Sequence, residues 1–187
     1  SPLFFDASVT GGQPWEPKNY DGKFSAPMSM RTGLAKSKNM VSIRILKEAG
    51  PQNAQDWITK FGFEAERHPP YLTMALGAGA ITPLQMASAY SVFANGGSRV
   101  NPYLISKITD HKGAVISETI PTVLNETMRV IDARNAFVTT SLLQEVTSVG
   151  TAAKAKAALG RGDIYGKTGT TNDSIDAWFA GFHPSLA

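Results

Sequence analysis

The run Gly166-Lys167-Thr168-Gly169-Thr170-Thr171, followed by Asp176-Ala177-Trp178-Phe179-Ala180-Gly181-Phe182, constrains this chain more than any other feature. The second run alternates with the two-residue period of a strand, and Asn172-Asp173 between the two is turn chemistry. The whole segment therefore reads as strand, turn, strand. Its first half gathers a cation, two glycines and three hydroxyls into six positions. A strand edge of that composition suits an anionic ligand, either a phosphate or a carboxylate.

The phosphate reading fails on two counts. A phosphate-cradling loop needs four residues between its first glycine and the Gly-Lys-Thr, so that successive N–H groups curl round the anion. Counting back from Gly166, that position is Arg161, and Gly160 and Gly162 each miss by one. Such a loop must also open a helix, whereas the residues here alternate.

The carboxylate reading needs a partner, and Ser37-Lys38-Asn39 supplies one. It lies between a short helical stretch, Met28 to Lys36, and an apolar-periodic one marked by Met40, Ile43, Ile45, Leu46 and Ala49. Alone, Ser-x-Asn also reads as a helix cap. Paired with a Lys-Thr-Gly on a later strand, it resembles two of the three signatures of serine acyltransferases that react with penicillin. Further stretches extend the resemblance: Leu34 to Arg44, Ile81-Thr82-Pro83-Leu84-Gln85-Met86-Ala87, Phe93-Ala94-Asn95-Gly96-Gly97 and Asp176-Ala177-Trp178-Phe179. From about Trp15 to Phe182 the chain is similar, in family order, to the transpeptidase domain of class A, bifunctional penicillin-binding proteins.

One departure stands out. The family's acylating serine belongs to a Ser-x-x-Lys tetrapeptide, and no serine here has a lysine three residues on: Ser37 meets Met40, Ser42 meets Ile45, Ser88 meets Ser91 and Ser141 meets Gln144. The resemblance places that tetrapeptide upstream of Ser1 and further sheet beyond Ala187. The expectation is a central piece of one domain, incomplete at both ends.

Composition agrees with a globular unit. The chain has 187 residues, 42% of them hydrophobic, enough for one domain with a real core. A net charge of +3 is spread out, apart from Lys154 and Lys156 in an alanine-rich stretch that reads as a solvated helix face, so no nucleic-acid footprint is expected. The chain has no cysteine, which excludes a disulfide framework. No apolar run approaches a membrane span. His68, His111 and His183 lack ligand spacing, and neither metal nor cofactor is expected.

Along the chain, residues 1–27 hold four prolines and a Gly-Gly pair and read as an extended surface segment. Residues 28–160 read as mainly helical. Gly50-Pro51 ends one helix and starts another, whose Trp57, Ile58 and Phe61 are expected in the core. Thr82-Pro83-Leu84-Gln85 is a capping box, opening a helix with Met86, Ala89, Tyr90 and Phe93 inward. A hairpin is expected at 103–119, turning at Asp110-His111-Lys112-Gly113. Asp132 caps the longest helix, with Ala136, Phe137, Thr140, Leu143, Val146 and Val149 on one face. Gly150-Thr151 restarts a short helix, and 162–183 hold the two strands. The fold class is α/β (α+β): a helical cluster packed on an antiparallel sheet, like serine β-lactamases and D,D-transpeptidases.

The resemblance also implies roles. Ser37 would relay a proton, Lys167 would poise that relay, and Asn39 would hydrogen-bond the substrate amide. Thr168, Gly169, Thr170 and Thr171 would line the place where a D-Ala-D-Ala stem peptide, or a β-lactam, lays its carboxylate, with the Thr170 N–H as an oxyanion donor. Asp176 and Trp178 read as structural. The partners implied are the Ser-x-x-Lys segment, an upstream glycosyltransferase domain and peptidoglycan at the periplasmic face of the inner membrane. Two other readings stay open: a D,D-carboxypeptidase or β-lactamase type hydrolase, and a non-catalytic module that binds β-lactams or peptidoglycan.

Overall fold

Helix boundaries follow local capping chemistry. The computed structural model describes residues 1–10, 12–171 and 175–187; the turn expected at Asn172-Asp173 lies outside them. After a four-residue α1 (Ala7–Thr10), Ser29 caps α2 (Met30–Ala35) by accepting from the Thr32 N–H. Helix α3 (Asn39–Ala49) ends at Gly50, which has φ of 86°, and Pro51 opens α4 (Pro51–Thr59). Thr82 and Gln85 form the expected reciprocal capping box on α5 (Pro83–Ala94), and Asp132 caps α6 (Ala133–Ser148). Helix α7 (Ala153–Leu159) closes the helical part.

Strands β1 (Lys107–Thr109) and β2 (Val115–Glu118) form the expected hairpin, shorter than the apolar run suggested and exposed throughout. Asp110 shapes its turn by accepting from the N–H groups of Lys112 and Ala114, both at 2.8 Å. Strands β3 (Tyr165–Thr170) and β4 (Ala177–Phe182) pair antiparallel, from Tyr165 opposite Phe182 to Thr170 opposite Ala177.

Two apolar clusters hold the helices. Phe5, Met40, Ile43, Leu46 and Leu72 form one; Phe61, Ala89, Val92, Ile131 and Ala136 form the other. Residues 1–27 are thus not simply a surface segment. They contain α1, and Phe5 is buried in the first cluster, bridged to Trp15 through two backbone hydrogen bonds.

Helix α6 joins the two halves of the molecule that matter for function. On one side the Arg31 guanidinium of α2 donates to the carbonyl and hydroxyl of Ser141, at 3.0 and 3.1 Å. On the other, Gln144 donates to the carbonyl of Gly162 at 3.0 Å, and the buried Thr147 hydroxyl reaches the Ile164 carbonyl at 2.6 Å, just before β3. One rigid helix therefore fixes α2 against β3.

Three apolar expectations need correction. Phe137 is 75% exposed and Val149 68% exposed, although both share the helical spacing of buried Leu143 and Val146. Trp57 is 45% exposed, with the Lys60 ammonium 4.1 Å from its ring centroid, while Phe61 alone of that stripe is buried. In α5 the fully buried residue is Val92, next to the expected Ala89. Truncation separates the two classes. Ile43→Ala, at 0% exposure, is expected to cost about 2–5 kcal/mol in urea unfolding, whereas Phe137→Ala stays within about 0.5 kcal/mol of the parent. A large loss for Phe137→Ala would contradict the packing described here.

Candidate active site

The end of α2 sets the first half of the site. Lys36 caps the helix, the Ser37 N–H donates to Leu34 O at 3.0 Å and the Lys38 N–H donates to Gly33 O at 2.8 Å. This is a Schellman closure, whose residue after the cap adopts the left-handed conformation that favours glycine. Here that residue is Ser37, at φ of 49°, the one non-glycine with positive φ among the described residues. A β-carbon in that conformation costs about 1–2 kcal/mol. The serine is kept where the fold alone would prefer glycine, which points to work for its hydroxyl.

Nor is Ser37 or Asn39 a helix cap. The residue capping α3 is Lys38, which makes no side-chain cap bond. Instead, residues 18–23 hold this junction. The Lys38 ammonium pairs with Asp21 at 2.6 Å, Asn19 accepts from the Met40 N–H at 3.3 Å, and Asn39 Nδ2 donates to Lys18 O at 2.8 Å. The donor half of the Asn39 carboxamide, expected to meet a substrate amide, is engaged within the chain.

Strand β3 brings the second half. Lys167 Nζ donates to Ser37 Oγ at 2.7 Å and to the Thr168 carbonyl at 2.9 Å, although Ser37 lies 130 positions earlier. Among the described residues no carboxylate pairs with this ammonium. Burial pushes its pKa below the ordinary lysine value of 10.5. A hydroxyl that accepts from a cation keeps its own proton to donate, so the pair can pass a proton from ammonium to a third group through serine.

The ladder fixes which groups of β3 face outward. The Thr171 N–H donates to Asp176 O at 3.1 Å and the Asp176 N–H donates to the Thr171 hydroxyl at 2.8 Å, so Thr171 turns its N–H toward β4. By the alternation of antiparallel pairing, Thr168 and Thr170 turn their N–H and C=O groups to the other edge. Among the described residues β3 pairs with β4 alone, leaving that edge open. The two glycines of β3 differ in what surrounds them. A β-carbon on Gly166 would stand 2.4 Å from the Phe179 ring and 2.6 Å from Ala180 O, a demand of the fold. On Gly169 it would meet only Trp178 Cβ, at 3.9 Å. The fold does not require glycine at 169; an incoming ligand could.

Thr168 is half-buried, while Gly169, Thr170 and Thr171 are exposed along this edge. Ser37, Lys167 and Thr168 thus come together, and Thr170 lies one step along. Trp178, read as a packing residue, is 59% exposed, and Asp176 meets Thr171 through its backbone, accepting and donating. One contact had no signal in the sequence: the hydroxyls of Thr151 and Thr168 lie 2.5 Å apart.

The chain belongs to the penicillin binding protein transpeptidase domain family, whose model matches residues 3–186. It is 49% identical over its whole length to penicillin-binding protein 1A of Neisseria lactamica, and 38% identical over 215 aligned positions, covering 90% of the chain, to that of Pseudomonas aeruginosa. It spans 23% and 26% of those relatives. The crystal structure of penicillin-binding protein 1A from Haemophilus influenzae superposes with a TM-score of 0.86 at 34% identity, covering 97% of this chain and 32% of that one. The fold expected from the sequence, a helical cluster packed on an antiparallel sheet, agrees with the mixed helix-and-sheet fold of that family.

The strained serine makes a direct prediction. Because glycine escapes the left-handed penalty and alanine does not, Ser37→Gly is expected to be more stable than Ser37→Ala by about 1 kcal/mol. Chemical denaturation of the two variants measures this, and an equal or more stable alanine variant would contradict the backbone assignment.

Proposed function

We propose that this chain is the central part of the transpeptidase domain of a bifunctional, class A penicillin-binding protein, and that the complete protein cross-links peptidoglycan stem peptides through an acyl-enzyme. The observation that carries the proposal is the Lys167–Ser37 hydrogen bond beside an open strand edge.

In this reading a serine and lysine of a Ser-x-x-Lys segment outside the sequence supply the nucleophile and its base. The serine oxygen attacks the carbonyl of the penultimate D-alanine of a D-Ala-D-Ala stem peptide. Ser37 hands a proton to the departing D-alanine amine, and Lys167 favours that transfer by its charge. The Thr170 N–H, turned to the open edge, steadies the oxyanion together with the N–H of the nucleophile. Thr168 and Thr170 hold the terminal carboxylate, Gly169 leaves room along the strand, Thr171 lines the substrate's path beside them, and the oxygen of Asn39 remains for the substrate amide. An amine from a second stem peptide then resolves the ester. β-Lactams enter by the same route because they carry a carboxylate beside a reactive amide.

The complete protein works at the periplasmic face of the inner membrane, with an upstream glycosyltransferase domain. Within the described residues, no helix is long and apolar enough to cross a membrane. Without the nucleophile this chain alone does not turn over. A hydrolase, in which water replaces the acceptor amine, and a binding module that forms no ester are the alternatives.

Fluorescent penicillin distinguishes them. The full-length protein is expected to label covalently and this chain alone is not; an inert full-length protein would favour the binding module. Replacing Lys167 by alanine should slow labelling by about 100-fold or more, on the scale of a lost charged contributor to proton transfer. Since burial lowers the Lys167 pKa, its charge is lost on raising pH earlier than in an exposed lysine, so the alkaline limb of labelling should fall below pH 10.5. Wild-type labelling in Lys167→Ala would remove Lys167 from the mechanism.

A further inference from the structure

The hydroxyls of Thr151 and Thr168 are 2.5 Å apart, and either can be the donor. Thr151 is not held there by chance packing. Its N–H donates to Ala35 O, the last residue of α2, at 3.0 Å. Gly150 before it is pressed so closely that a β-carbon would stand 2.2 Å from Ala35 O and 2.8 Å from Val146 Cα. The Gly150-Thr151 pair thus crosses under the end of α2, two residues before Ser37, and reaches β3 one residue after Lys167. It is a second bridge between the halves of the site, beside the Lys167–Ser37 bond.

From this geometry we infer that Thr151 is a positioning residue for the carboxylate-binding hydroxyl of Thr168, setting the direction of its proton. The inference rests on the proposed role of Thr168 in binding the substrate or β-lactam carboxylate. A hydroxyl has one proton and accepts through its lone pairs. For Thr168 to aim its proton at an anion on the open edge, the short contact with Thr151 must be supplied by the Thr151 proton. An anion at Thr168 selects that arrangement. The Thr151 N–H bond to Ala35 keeps the donor in place, and no bond is made or broken. Removing the Thr151 hydroxyl leaves Thr168 free to turn its proton elsewhere.

The test compares benzylpenicillin with its methyl ester, in the full-length protein, as second-order acylation rates measured by competition with a fluorescent penicillin. The acid and the ester share every contact except the anionic one. The wild type is expected to favour the acid. In Thr151→Val, which keeps the shape and loses the hydroxyl, that preference should shrink roughly three- to tenfold, the worth of one net hydrogen bond. Thr151→Ser should retain the wild-type preference. Both rates report on the same active molecules, so the ratio is unaffected by partial loss of folded protein, as a merely structural role would cause. Should Thr151→Val yield no folded protein, Thr151→Ala takes its place under the same ratio. An unchanged preference in the hydroxyl-free variant, or a lost one in Thr151→Ser, overturns the inference and leaves the Thr168 reading standing. A wild type that treats acid and ester alike overturns both.

Discussion

The hydrogen bond from Lys167 Nζ to Ser37 Oγ is the contact around which the rest of the structure is arranged. It joins the end of a six-residue helix to the middle of a strand, and neither element could hold its position alone. A short helix is marginal in water without tertiary support. Support comes from α6, which grips α2 through Arg31 and the β3 approach through Gln144 and Thr147. Burial then acts on the bond itself. A desolvated ammonium is destabilised, and the hydroxyl and carbonyl it meets, with any anion that arrives, offset that cost.

The same economy explains Ser37. Its left-handed backbone follows from the helix closure at Gly33 and Leu34, and residues 18–23 hold the far side through Lys38 and Asn39. The strain is modest and local. It aims a hydroxyl at Lys167 from a turn that glycine would occupy more comfortably. On the strand, Gly166 answers to Phe179 and Ala180, while Gly169 answers to nothing in the fold beyond an ordinary contact. Two glycines three residues apart therefore have different causes, one internal and one external.

Local chemistry was legible in the sequence and facing was not. The capping box at Thr82 and the cap at Asp132 involve residues within one turn, so the pattern determines the structure. The β3–β4 pair was legible from alternation, and motif order placed Ser37 with Lys167. Helical spacing, by contrast, marks an apolar stripe without saying what covers it: Phe137 and Val149 share the stripe of Leu143 and Val146 yet lie in solvent. Ser37 was legible as a motif but not as a left-handed residue, because that closure is recognised by a glycine. The engagement of Asn39 with Lys18, and the approach of Thr151 to Thr168, depend on segments meeting across the fold, which no local pattern encodes.

The central claim is that Ser37 and Lys167 act as one unit. A double-mutant cycle on the acylation rate of the full-length protein, using Ser37→Ala, Lys167→Ala and both together, tests it most directly. A functional pair should lose most of its rate with the first substitution and little more with the second. Independent, multiplying losses would contradict the claim.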